Sequence, residues 1–182
     1  MARRPIEVLT VGEEHLAELM ALWSAARCDL GVSHDGSNRL AAERLLVALG
    51  RSDVMAHLAR LDGEPVGFAV TSQNLFGLTA EPELTIELLH VSPGARRKGV
   101  AQSLLSAVLA SASRLDCEVI VSNVPSTSKD ANRFFARLGF SPVMVRRVVP
   151  MRTLRRKLEP ESVESAVQVL RRRRSVRARL LT

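Results

Sequence analysis

The stretch of the chain best suited to chemistry is Val91-Ser-Pro-Gly-Ala-Arg-Arg-Lys-Gly-Val-Ala101, a glycine-containing basic turn between an apolar run and a long helical pattern. A turn that opens a helix leaves backbone N–H groups unpaired, with the positive end of the helix dipole behind them, and so offers a seat for phosphate oxygens. Gly99 lets the backbone approach an anion closely, Ala101 keeps the following position small, and Arg96, Arg97 and Lys98 add positive charge. The turn suits a pyrophosphate; the plainer alternative is a basic turn that only caps a helix. Composition closes other chemistries. Tyr is absent, which excludes any mechanism that needs a phenol, and the aromatics are five Phe and Trp23, few for a protein that stacks bases. Cys28 and Cys117 stand alone, with no second Cys or His at metal-ligand spacing, so disulfide scaffolds and structural zinc are excluded and both read as buried thiols. No metal site is expected.

The elements that must hold this turn follow from hydrophobic periodicity. Residues 5–11 alternate loosely as a short strand, and Leu16, Leu19, Met20 and Trp23 recur at helical spacing, with Trp23 facing inward. Turn residues crowd Cys28 to Asn38 before Leu40, Leu45, Leu46 and Leu49 resume a helical period, which predicts two helices joined by a polar loop. Val54 to Leu61 and Val66 to Ser72 flank the turn Asp62-Gly-Glu-Pro65 and predict a hairpin. Leu84 to Val91 reads as a strand that stops at Pro93-Gly94, followed by a long helix carrying Leu104, Leu105, Val108 and Leu109. Small residues at Ala110 to Ser113 permit that helix to pack closely on a sheet. A strand starts at Val119, a helix carries Ala131, Phe134, Phe135 and Leu138 and ends at Gly139, and Val143 to Val149 predicts a last strand. Helices are predicted beyond Pro150, through Met151, Leu154 and Leu158 and again through Val163, Ala166, Val167 and Leu170. The expected chain is α/β (α+β), in the order β-α-α-β-β-β-α-β-α-β, with one domain over residues 1–158 and a basic helical C-terminal extension over 159–182.

A length of 182 residues suits a single core. The formal charge of +7 is unevenly spread: residues 1–132 hold 12 Lys and Arg against 16 Asp and Glu, while 133–182 hold 14 against 3. Basicity therefore belongs to the C-terminal end. For the run Arg171 to Arg179 three readings stay open: contact with nucleic acid, a homodimer contact through Val163, Val167 and Leu170, and a solvated tail. Charge interrupts every apolar run well short of the roughly 18 to 20 residues of a spanning helix, and no apolar stretch follows the basic start. The expectation is a cytoplasmic protein without a membrane partner.

With Arg96-x-x-Gly99-x-Ala101 between strand and helix, the Val91-Ser-Pro93 lead-in, this order of elements and Phe134-Phe-Ala-Arg-Leu-Gly-Phe140, the chain resembles the GCN5-related N-acetyltransferase (GNAT) superfamily over about residues 5–149. The resemblance implies a mixed central sheet that splays between its fourth and fifth strands, with acetyl-CoA as acyl donor in the opening. It implies that backbone groups of Leu89, His90 and Val91 meet the pantetheine arm and polarise the thioester carbonyl, and that Arg96, Arg97, Lys98, Gly99, Val100, Ala101 and Gln102 surround the pyrophosphate. Ser128 stands where relatives often carry an Asn toward the cofactor, and Phe135 where they often carry the Tyr that protonates the departing thiolate. The implied activity is transfer of acetyl to a primary amine of a small molecule or peptide by direct attack. Glu87, four residues before Val91 and by simple alternation on the face of Leu89 and Val91, is the candidate base, with His90 as runner-up. Asn123 takes a place where some relatives carry a catalytic Glu and can orient substrate or water. Asp29, His34 and Asp35 lie in the loop that builds the acceptor pocket in this superfamily and favour a cationic amine. The rival function is a non-catalytic acyl-CoA-binding module whose basic tail contacts nucleic acid or another acidic partner.

Overall fold

The computed structural model describes residues 5–29, 35–75, 77, 81–145 and 147–158. Five strands, β1 (Ile6–Thr10), β2 (Val54–Leu61), β3 (Glu64–Asn74), β4 (Glu83–Val91) and β5 (Val119–Ser122), form one sheet in that spatial order. The first four run antiparallel to their neighbours and β5 lies parallel to β4. The helices are α1 (Leu16–Asp29), α2 (Asp35–Leu49), α3 (Val100–Arg114), α4 (Lys129–Arg137) and α5 (Met151–Leu158). Chain packing separates residues 1–132 from 133–182 as two compact units.

In the first unit, the hairpin between β2 and β3 turns on two residues, Asp62 and Gly63, at φ 56° and 84°. Paired left-handed residues match the right-handed twist of the flanking strands. Glu64 already pairs with Leu61, so the turn is tighter than the four residues the sequence suggested. Helix α1 packs Leu19, Leu22, Trp23 and Ala26 with Leu58, Phe68 and Val70 on one sheet face, joined by Leu45 of α2. The Arg60 guanidinium on β2 donates to both oxygens of Glu18 on α1, at 3.2 and 2.7 Å, which fixes the helix along that face.

The other face belongs to α3. Val100, Leu104, Val108, Ser111 and Ala112 recur on one helical stripe and are buried. Gly67 on β3 makes this approach possible: a Cβ there would stand 3.2 Å from the Val100 side chain and 2.8 Å from the His90 carbonyl oxygen. Under α3 the burial of His57 is tolerated because its ring lies 3.1 Å from the Ser111 hydroxyl, which also accepts from Arg114 at 2.9 Å. Burial, and secondarily the Arg114 charge, lowers the His57 pKa and keeps the ring neutral. Cys117 is buried as expected, but Cys28 is exposed on α1.

The second unit departs from the expected order. Gly139, at φ 91°, ends α4, where the Phe140 N–H returns to the Phe135 carbonyl at 3.1 Å. Phe135 stacks edge to face on Phe134 and Phe140, at 5.3 and 5.0 Å between ring centroids. The strand expected over Val143–Val149 is not formed among the described residues there. Val143, Val145 and Val148 are 75 to 88% exposed, and no described strand supplies the ladder that β structure requires. Helix α5 covers the first helix expected beyond Pro150; the expected helix from Pro160, the Arg171–Arg179 run and the Val163, Val167 and Leu170 contact lie outside the described residues.

Candidate active site

The site is organised by the parting of β4 from β5. Residues Glu83 to Ile86 pair with β5 on one side and β3 on the other, and the Asn123 N–H extends the ladder to the Ile86 carbonyl at 3.5 Å. Beyond Ile86, β4 pairs with β3 alone. At this point Thr71 is opposite Ile86 and Val70 is opposite Leu88, so Glu87 is an extra residue, a β-bulge. The bulge breaks the alternation expected from sequence. Ile86, Leu89 and Val91 face α3 with Thr71, Ala69 and Gly67, whereas the Glu87 carboxylate lies beside Ser72, on the face of Val70 and Phe68. Glu87 therefore does not share the face of Leu89 and Val91.

The exposed Glu87 carboxylate accepts at both oxygens. The Ser72 hydroxyl donates to Oε1 at 2.6 Å and the Asn123 side-chain amide to Oε2 at 3.2 Å. Among the described residues no Lys or Arg forms an ion pair with it. His90 is on the same face, its ring tilted against core Phe68 with centroids 5.7 Å apart. A carboxylate with two neutral donors, at the mouth of a one-sided strand, can hold a cationic group or take a proton from it.

At the end of β4, Pro93–Ala95 forms a short 3₁₀ turn and Gly99 is the residue before α3. Both Arg97 and Gly99 are left-handed, at φ 62° and 94°. That conformation strains a side-chain residue at 97 and selects glycine at 99. The first intrahelical bond runs from the Ser103 N–H to the Gly99 carbonyl at 3.0 Å, so the N–H groups of Val100, Ala101 and Gln102 precede it. Arg97, Lys98 and Gln102 are exposed around them. Arg96 turns back instead: its Nε–H donates to the Val91 carbonyl at 3.1 Å and ties the turn to β4.

The sequence matches the family model described as Acetyltransferase (GNAT) family over residues 18–140. The chain belongs to that family. No curated protein matches it. Among solved structures, an aminoglycoside N-acetyltransferase, AAC(6')-Iy, in complex with CoA is 20% identical over 82% of this chain and 96% of its own, with a TM-score of 0.67. A ribosomal-protein-alanine N-acetyltransferase from Brucella melitensis is 18% identical over 81% and 99%, with a TM-score of 0.66. An integron cassette protein from V. cholerae is 19% identical over 85% and 98%, with a TM-score of 0.70. At these identities the likeness is one of fold, the mixed five-stranded sheet with its helices.

Within this acetyltransferase-family chain, the residues singled out by sequence fall into three groups. Glu87 and Asn123 are brought into contact, and the turn 96–102 follows directly from the strand that carries Leu89, His90 and Val91. Ser128 immediately precedes α4; its carbonyl accepts from the Asn132 backbone at 3.0 Å and side-chain amide at 2.7 Å. Phe135 belongs to the aromatic cluster of the second unit. Asp29 is the last residue of α1 and Asp35 the first of α2, so the helices are longer than the predicted loop allowed, and His34 lies outside the described residues. Ser72 was not foreseen. A serine ending a β-rich run has no motif, and its relation to Glu87, 15 residues later, depends on register.

Proposed function

We propose that this chain is an N-acetyltransferase that moves acetyl from acetyl-CoA to a primary amine of a small molecule or peptide by direct attack. The observation that carries the reading is the Glu87 carboxylate at the bulge where β4 leaves β5. Peptide groups of Leu89 to Val91 on the edge that β5 leaves uncovered serve the pantetheine arm, and one N–H there polarises the thioester carbonyl. The first-turn N–H groups of Val100, Ala101 and Gln102, with Arg97 and Lys98, receive the pyrophosphate, while Arg96 holds the turn in shape. Glu87 takes one proton from the acceptor ammonium. The amine lone pair then forms the C–N bond as the C–S bond breaks, and the second amine proton reaches the thiolate directly or through water. The chain holds no phenol, so the reaction relies on a thiolate whose conjugate acid resembles a cysteine thiol of pKa about 8.5, with water or the Ser128 hydroxyl completing proton transfer. Asp29, His34 and Asp35 are proposed to bias the acceptor side toward cations.

Ala101→Glu tests the anion seat without the backbone strain that any substitution of Gly99 would add. It is expected to weaken acetyl-CoA binding by at least about tenfold, the effect of one repulsive contact of 1.4 kcal/mol or more, as read by calorimetry. The wild type is expected to release CoA thiol with at least one member of an amine panel. Unchanged affinity in Ala101→Glu would remove the seat, and tight binding without release for any amine would favour the binding module.

A further inference from the structure

We propose that Ser72 is a positioning residue: together with Asn123 it clamps the Glu87 carboxylate in the orientation from which it meets the acceptor amine. The inference rests on Glu87 acting as the base. Its geometry is specific, since each carboxylate oxygen has its own donor, Ser72 on β3 at 2.6 Å and Asn123 just after β5 at 3.2 Å. The two donors reach Glu87 from opposite sides of β4, across the splay. Such a clamp has a purpose here. Glu87 is the bulged residue of its strand, opposite no partner, and its side chain is exposed, so neither cross-strand packing nor burial fixes its torsions. Orientation must come from hydrogen bonds, and orientation is a large part of what a general base supplies.

The chemical type of the donors matters as much as their number. A guanidinium would hold the carboxylate but also neutralise it and weaken it as a base. Ser72 and Asn123 are neutral, and each carboxylate oxygen keeps a lone pair after accepting one bond. The held group therefore retains its charge for an ammonium and an open position for the proton. Asn123 thus acts through Glu87 rather than on the substrate, and Ser72 does the same from β3.

The test measures kinetics and resonance together. Ser72→Ala is expected to lower kcat about tenfold, the low end of what loss of one hydrogen bond to a charged group gives, with KM for acetyl-CoA unchanged. Ser72→Thr, which keeps the hydroxyl, should restore most of the rate. In a Glu87→Gln background Ser72→Ala should cause no further loss, because residues acting through one group are not additive. Independently of turnover, Ser72→Ala should shift the Asn123 side-chain amide resonances, since both residues donate to the same carboxylate. Should the alanine variant fold poorly, Ser72→Cys serves in both arms as a near-isosteric weak donor. Wild-type kcat in Ser72→Ala, an undiminished loss in the Glu87→Gln background, or unmoved Asn123 resonances would overturn the clamp. If no amine is acetylated at all, it is the proposed function that fails, and the amide resonances still decide whether the clamp exists.

Discussion

Glu83–Ile86, the first half of β4, lies between β3 and β5 and is buried throughout, whereas Glu87–Val91, the second half, pairs with β3 alone and is exposed or half-buried. One strand thus serves two ends, with the bulge at Glu87 as the boundary. Two-sided pairing and full burial make the first half part of the core. One-sided pairing leaves the second half with a strand edge that β5 does not cover and with the exposed Glu87 carboxylate. The difference teaches that stability and site chemistry are separated along this strand by which neighbour ends first, not by composition, since Leu-Thr-Ile and Leu-Leu-His-Val are comparably apolar.

The separation can be broken most forcefully in the core half. Leu84 is 0% exposed, and Leu84→Ala is expected to cost about 2 to 5 kcal/mol in urea unfolding. Leu88, 37% exposed, is expected to lose about 1 kcal/mol or less on the same change. Equal losses would erase the distinction between the halves. An effect on rate alone is expected of Glu87→Gln: turnover should fall by about 10²-fold, the low end for a general base, while stability moves by about 0.5 kcal/mol or less. A large stability loss would make Glu87 a structural residue. A further effect, on the pH dependence of stability, comes from the sheet face under α3, where His57 lies opposite Ala69 and Ala69 opposite Leu89. Because the folded pKa of His57 is lowered, the unfolded chain binds the proton first. Stability should therefore be full above about pH 6.5 and decline as pH falls, with a slope of at most about 1.4 kcal/mol per pH unit. His57→Gln should flatten that slope in pH-dependent unfolding curves, and a slope that persists would place its origin elsewhere.

Much of this was legible because it is local. The helix periods of α1 and α3, the Asp62-Gly63 hairpin, the glycine before α3 and the Gly139 stop each depend on residues within a turn or two of one another. The strand predicted at Val143–Val149 shows the limit of that logic. Its β-branched run satisfies propensity, but a strand exists only where a partner ladder receives its backbone, and none of the described strands does so. The placement of Glu87 shows the same limit at the site. Alternation counts residues along one strand, while the bulge is a property of two.

The sequence by itself determined the family, the glycine turn that opens α3 and the absence of a phenol, since residue type and short spacing decide all three. The tertiary structure alone decided which face Glu87 takes, that Arg96 turns back to Val91, that His57 is sealed beneath α3 against Ser111, and that Ser72 and Asn123 meet on one carboxylate. The physical reason is register. Apart from the Arg96 contact within its turn, these contacts join residues brought together by strand pairing or helix packing, and a one-residue slip in strand pairing would send the same side chains to the opposite face.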